Sequence, residues 1–215
     1  MSWRQLLWPS NLLSLARIVL AIPLGYCLSV PTAGGTIASV LILILAGLTD
    51  ALDGYVARRT GRITRLGTAL DPIADKVFAF LFVVFLMIYR SFPLWLAVTL
   101  VGRDLLLLVG GVILIGRREP TIPARLYGKY LFFATIFLLG SYVIEYRFGT
   151  GLSTVFALAL CAVSLADYVI VFSGVVRGEA LPPYDDKPRY RALRLGVTAL
   201  AVIVYIVGWF IEAPK

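Results

Sequence analysis

The sequence predicts an all-α integral membrane protein, and three observations carry that prediction. Hydrophobic residues make up 60% of the 215-residue chain and charged residues 15%, where soluble domains run at roughly 45–50% and 25%. Seven apolar stretches lie near 11–30, 36–56, 70–89, 93–116, 127–146, 150–175 and 193–211, each close to the roughly 20 residues that cross about 30 Å of hydrocarbon as a helix. Lys and Arg then gather in alternate connections, the pattern that orients a multi-span chain.

Residues 1–10 carry Trp3, Leu6, Leu7 and Trp8 in a short amphipathic segment, which predicts an interfacial helix with aromatic anchors. Arg17 within the first apolar stretch, and the absence of a small-residue cleavage site, argue against a removed signal peptide. The breaks between spans carry turn-forming residues: Pro31-Thr32-Ala33-Gly34-Gly35, Ser91-Phe92-Pro93, Pro120-Thr121-Ile122-Pro123, Gly149-Thr150-Gly151 and Pro182-Pro183. Arg58, Arg59, Arg62 and Arg65 fill one connection, Arg117, Arg118, Arg125 and Lys129 a second, and Arg177, Lys187, Arg189, Arg191 and Arg194 a third. The opposite side offers only Arg90, Arg147 and Lys215. The asymmetry predicts seven spans with the N-terminus and the three basic connections in the cytoplasm. The chain divides into an interfacial segment (1–10), a main membrane domain (11–176), a basic loop (177–192) and a further span with its tail (193–215). No internal repeat or low-complexity tract is present.

Composition also removes whole classes of chemistry. There is no histidine, hence no Ser-His-Asp triad and no HExxH zinc site. Cys27 and Cys161 stand apart inside apolar stretches, which predicts two core thiols rather than a disulfide or a thiolate metal site. The net charge of +8 is accounted for mostly by topology, and no nucleic-acid partner is expected.

Acids inside the spans are the informative residues. Asp50, Asp53, Asp71, Asp75, Asp104 and Asp167 fall within the stretches or at their ends. An Asp at mid-membrane costs about 2.5–3.5 kcal/mol on insertion scales, so four clustered carboxylates would cost roughly 10 kcal/mol unless something neutralised them. Arg58 and Lys76 are near enough to offset two at most. On a helix Asp50 and Asp53 stand at i and i+3, and Gly67, Asp71 and Asp75 at i, i+4 and i+8, each set on one face. If the two helices pack together, four oxygen donors converge. Hard oxygen ligands without His or Cys select magnesium, manganese or calcium over zinc. Two divalent ions would balance four charges, the arrangement suited to displacement at phosphorus. Gly54, Ala57 and Gly67 leave the same faces bare for a bulky ligand or a close helix neighbour, and Arg58 can meet a phosphate with two parallel hydrogen bonds.

The pattern Asp50-x2-Asp53-Gly54-x2-Ala57-Arg58-x8-Gly67-x3-Asp71-x3-Asp75 resembles the complete signature of the CDP-alcohol phosphotransferases. The resemblance covers most of residues 9–176. It implies a six-helix transmembrane bundle, usually a homodimer, with a polar cavity facing the cytoplasm of a bacterial-type membrane; residues 193–211 add one extra C-terminal span. It also implies Asp50, Asp53 and Asp71 as metal ligands, and Asp75 as a ligand of the second ion and the general base. Asp50, Gly54, Ala57, Arg58, Thr64 and Gly67 match the positions around the CDP-linked donor, with Mg2+ or Mn2+ as the two cations. Asn11-x2-Ser14-x2-Arg17 resembles the family's N-terminal motif, giving further donor or phosphate contacts.

The implied reaction moves a phosphatidyl group from CDP-diacylglycerol to an alcohol and releases CMP. Residues from Gly102-Arg103-Asp104 through Pro120-Thr121 to Gly128-Lys129 resemble phosphatidylglycerophosphate synthases and also the CDP-alcohol-type cardiolipin synthases. Glycerol 3-phosphate as acceptor suits a basic pocket drawn from Arg103, Arg117, Arg118, Arg125 and Lys129. Phosphatidylglycerol, another phosphate ester, suits it too, and inositol phosphate or serine are further acceptors of the family. A simple ion pair between Arg103 and Asp104 is the alternative for those two residues. From another class, a cation-coupled transporter would also carry intramembrane acids. Such carriers often show paired halves with broken helices, a repeat this sequence lacks.

Overall fold

The computed structural model describes residues 9–60, 65–116, 126–178 and 188–212; within them, the side chains of 9–11, 13, 50, 51, 53–60, 65–73, 115, 116 and 188–194 are outside the description. The described residues form seven helices: α1 (Pro9–Ser29), α2 (Ala33–Thr60), α3 (Arg65–Tyr89), α4 (Leu94–Gly116), α5 (Leu126–Val143), α6 (Arg147–Val176) and α7 (Pro188–Glu212). Each of the seven expected spans falls on one of them. Among the described residues four stretches are long and apolar enough to cross a membrane: Leu94–Leu114, Leu126–Val143, Arg147–Val176 and Leu195–Glu212. The described apolar parts of α1 and α2, Ser14–Ser29 and Ala33–Thr49, are shorter. Large apolar side chains such as Ile22, Phe80, Val112 and Phe210 are exposed, as they must be where the surrounding solvent is hydrocarbon. The protein is a multi-pass membrane protein.

The helix boundaries follow local chemistry. Thr32 caps α2: its Oγ1 accepts the Gly35 N–H at 3.1 Å, satisfying a first-turn donor. Gly35 is required there, because a Cβ would overlap the Val30 carbonyl. α3 ends where Ser91 takes φ 53° and Pro93 prevents continuation. Between α5 and α6 the chain turns through a Schellman motif, with Tyr146 N–H on Ser141 O at 2.9 Å and Glu145 at φ 57°. This turn sits at 144–146, several residues before the break that Gly149-Thr150-Gly151 suggested. Those glycines belong to the first turns of α6 instead. The reason is packing: a Cβ at residue 149 would overlap the Tyr146 ring.

The chain forms two compact units, Met1–Pro93 and Leu94–Lys215. In the first, α1 is the shared neighbour, with α2 and α3 both packed along it. Ala21, Leu24, Leu28, Ala46, Phe82 and Leu86 are buried there, and Gly25 lets the Phe85 ring approach the α1 backbone. In the second, α6 plays that part, receiving α4, α5 and α7. Leu114 of α4 packs with Val171 and Val175 of α6, and the Tyr168 hydroxyl donates to Leu107 O at 3.1 Å. Cys27 and Cys161 are both free thiols, the latter buried.

α7 is joined to the α5–α6 turn by neutral polar groups and aromatic rings. Tyr146 donates to Tyr205 O at 2.8 Å, and Ser141 Oγ and Tyr205 OH are 2.7 Å apart. Tyr146 meets Tyr205 and Trp209 edge-on, at centroid distances of 5.1 and 5.3 Å. Glu212 closes the corner by accepting the backbone N–H of Arg147 at 3.2 Å and of Phe148 at 2.9 Å. A carboxylate at those N–H groups complements the positive end of the α6 dipole.

Candidate active site

Helical backbone runs without interruption through Asp50, Asp53, Gly54, Ala57 and Arg58 in α2 and through Gly67, Asp71 and Asp75 in α3. The i, i+3 and i, i+4 spacings are therefore real helix faces. Four residues separate Thr60 from Arg65, so the acid-bearing end of α2 and the start of α3 stay within about 18 Å whatever the connection does. Thr64 lies in that connection, outside the described residues. The side chains of Asp50, Asp53, Gly54, Ala57, Arg58, Gly67 and Asp71 are likewise outside them.

Asp75 is the member of the constellation whose surroundings are visible. Its carboxylate forms an ion pair with Arg17 of α1. The partners differ in setting: the Arg17 side chain is 4% exposed and that of Asp75 48%. A guanidinium this deeply buried in a membrane helix needs an anion to be tolerated at all. Asp75 of α3 thus turns toward α1, along which α2 also packs. Ser14, one helical turn before Arg17, is fully buried; Asn11 is in α1 with its side chain outside the description. The sequence reading placed Arg17 among donor or phosphate contacts and did not pair it with Asp75. The signal was available, since an Arg inside an apolar stretch demands a carboxylate and the nearest candidates are the motif acids.

The basic residues expected at an acceptor site divide into two groups. Arg117, Arg118 and Arg125 lie outside the described residues. Arg103 of α4 and Lys129 of α5 lie within them: Arg103 reaches α5, since a Cβ at Gly128 would stand 3.3 Å from its Nη2, and Lys129 is the next residue, exposed. Arg103 is mostly buried. It pairs with Asp104 at 2.6 Å and donates to the Ser164 hydroxyl of α6, so the ion pair expected between neighbours does form. Its Nε is buried without a hydrogen-bond partner among the described residues. Ser164 had no motif to announce it, since a small hydroxyl on an apolar helix is ordinary packing in most chains.

Comparison of the whole chain with known proteins places it in a family. Residues 7–176 match the model of the CDP-alcohol phosphatidyltransferase family. The chain belongs to that family. It is a phosphatidyltransferase of phospholipid biosynthesis, which decides between the enzyme and the carrier readings. Among its relatives, the CDP-diacylglycerol–glycerol-3-phosphate 3-phosphatidyltransferase of Aquifex aeolicus is 34% identical over 170 residues, covering 74% of this chain and 93% of that protein. The Bacillus subtilis protein of the same name is 29% identical over 150 residues, 70% of this chain and 73% of that one. The CMP-forming cardiolipin synthase of Streptomyces coelicolor is 37% identical over 123 residues, 55% of this chain and 57% of that one. No solved structure matches the chain significantly. α7 lies beyond the residues shared with the family.

Proposed function

We propose that this phosphatidyltransferase uses CDP-diacylglycerol as donor and glycerol 3-phosphate as acceptor, forming phosphatidylglycerophosphate and releasing CMP. The observation that carries the acceptor is the resemblance to the Aquifex aeolicus protein over nearly its whole length. A basic pair at Arg103 and Lys129 agrees with an acceptor bearing a phosphate. Phosphatidylglycerol, giving cardiolipin, is the second reading, favoured by the higher identity to the Streptomyces coelicolor synthase over a shorter stretch.

Asp50, Asp53, Asp71 and Asp75 would hold two divalent cations. The all-oxygen donor set fits Mg2+ or Mn2+, and the half-exposed Asp75 carboxylate is open to a ligand from solvent. Bound there, the ions would offset charge on the diphosphate and on the departing CMP. The chain's own residues do the rest. The acceptor hydroxyl oxygen attacks the phosphatidyl phosphorus, the bond from that phosphorus to the CMP oxygen breaks, and Asp75 takes the hydroxyl proton. Asp75 must stand within about 3 Å of that hydroxyl to serve. Arg17 holds Asp75 from the α1 side and places a positive charge against the acid face. Gly54, Ala57 and Gly67 keep the helix surfaces low beside the donor, while Arg58, Thr64, Asn11 and Ser14 line its polar part. Arg103 and Lys129, with Arg117, Arg118 and Arg125, receive the acceptor phosphate.

The reading carries an architecture with it: six spans of the family type within 11–176, an additional span within 193–215, a homodimer, and an active site opening to the cytoplasm of a bacterial-type membrane. The test is a panel assay with labelled CDP-diacylglycerol, offering glycerol 3-phosphate, phosphatidylglycerol, inositol phosphate and serine in turn with Mg2+ or Mn2+. CMP release with glycerol 3-phosphate well above the others is expected. Release with phosphatidylglycerol alone would move the assignment to cardiolipin synthesis.

A further inference from the structure

The second unit holds a cavity of about 300 Å³ between α5, α6 and α7. It runs along α5 from Tyr127 to Phe137 and along α7 from Val197 to Tyr205. At 1.5 Å per residue the α5 side is about 15 Å long, half the roughly 30 Å hydrocarbon thickness of a bilayer. Its walls are mostly apolar, and of the five hydroxyl-bearing residues in them, Tyr127, Tyr130, Ser153, Thr198 and Tyr205, two are engaged within the protein: Ser153 Oγ donates to Gly149 O at 2.5 Å and the Tyr205 hydroxyl bonds Ser141. A polar ligand would therefore gain nothing from either. At one end lies Tyr205, whose ring meets Tyr146 edge-on. The other end lies at the N-terminal turns of α5 and α7. Lys129 stands beside Tyr127 and Tyr130 on α5, with Arg103 reaching the adjacent Gly128.

We infer that this groove binds one acyl chain of an anionic phospholipid, drawn from the leaflet at the basic end of the bundle. An apolar groove opening among membrane-spanning helices meets hydrocarbon rather than water, and its depth matches one leaflet. Lys129, exposed on α5 at that end, favours a negatively charged headgroup there. The site depends on α7, which lies outside the family-shared residues, so it is a property of this chain. Its mouth shares Lys129 with the proposed acceptor pocket, and the labelling below reads lipid occupancy of the groove whichever acceptor the enzyme uses.

The test is photolabelling of the purified full-length protein in nanodiscs with phosphatidylserine bearing a diazirine on its acyl chain, followed by peptide mapping. Labelling within 126–137 and 195–205 is expected to saturate near one lipid per chain. Unlabelled phosphatidylserine should compete about fivefold or more better than phosphatidylcholine, the effect of one basic contact. Ala201→Trp and Ala134→Phe, each filling the groove from a different helix, should abolish the saturable labelling with helix content by circular dichroism unchanged. Ile203→Trp, at an exposed position, should leave it intact. Labelling that rises without saturation, equal competition by phosphatidylcholine, or saturable labelling surviving in a folded groove-filling variant would overturn the inference.

Discussion

Two regions of this chain, the α1–α3 contact and the α5–α6–α7 corner, handle polar groups inside a membrane in opposite ways. In Met1–Pro93, charge is brought into the helices: Arg17 is buried in α1 and meets Asp75 of α3. At the α5–α6–α7 corner the buried polar groups are neutral, with Ser141, Tyr146 and Tyr205 bonded to one another and to backbone. Glu212, a carboxylate at that corner, caps a helix. Neutral hydrogen bonds stabilise a junction at small desolvation cost, whereas buried ions cost several kcal/mol each. A chain that could join its helices in the second manner had no structural need for the first. The charged region is therefore where chemistry is expected, and the neutral corner is where stability is expected.

The sharpest way to break that contrast is Asp75→Asn. It should lower transfer by about 10²–10⁴-fold, the contribution of a general base, while CDP-lipid binding remains measurable. Full activity in that variant would remove Asp75 as the base. Arg17→Ala should follow, reducing both transfer and thermal stability by about 1–3 kcal/mol, since a hydrogen bond between charged partners is lost but Asp75 is half exposed to solvent. Arg17→Lys should restore part of each, measured as CMP release and as melting temperature. In the neutral corner the signs of the readouts should separate. Gly149→Ala forces a methyl into the Tyr146 ring and should cost about 1–3 kcal/mol of stability, with turnover per folded molecule unchanged. Tyr146→Phe removes one hydrogen bond and should cost about 1 kcal/mol, a shift of roughly 2–4 °C for a chain of this size. A large loss of turnover in either variant, with the fold intact, would erase the distinction between the two regions.

Legibility in the sequence divided along the same line. The seven helices could be read from apolar runs, because hydrocarbon demands long uninterrupted helices and leaves little choice of alternative. The aspartate spacing could be read for the same reason: a costly residue in a membrane helix is rarely incidental. What the sequence hid was pairing across helices. The Arg17–Asp75 contact joins residues 58 positions apart and Arg103–Ser164 joins residues 61 apart, and no local pattern encodes either. The α5–α6 turn was misplaced because glycine usually marks a break. Here Gly149 instead makes room for a ring, and Glu145 takes the positive φ that glycine would ordinarily supply.

The most direct measurement is CMP release by the purified protein from labelled CDP-diacylglycerol and glycerol 3-phosphate, titrated with Mg2+ or Mn2+ and compared with Asp75→Asn. The account predicts release that requires the cation, is lost on chelation, and falls at least a hundredfold in the variant. Release that ignores the cation, or that persists undiminished in Asp75→Asn, would contradict it.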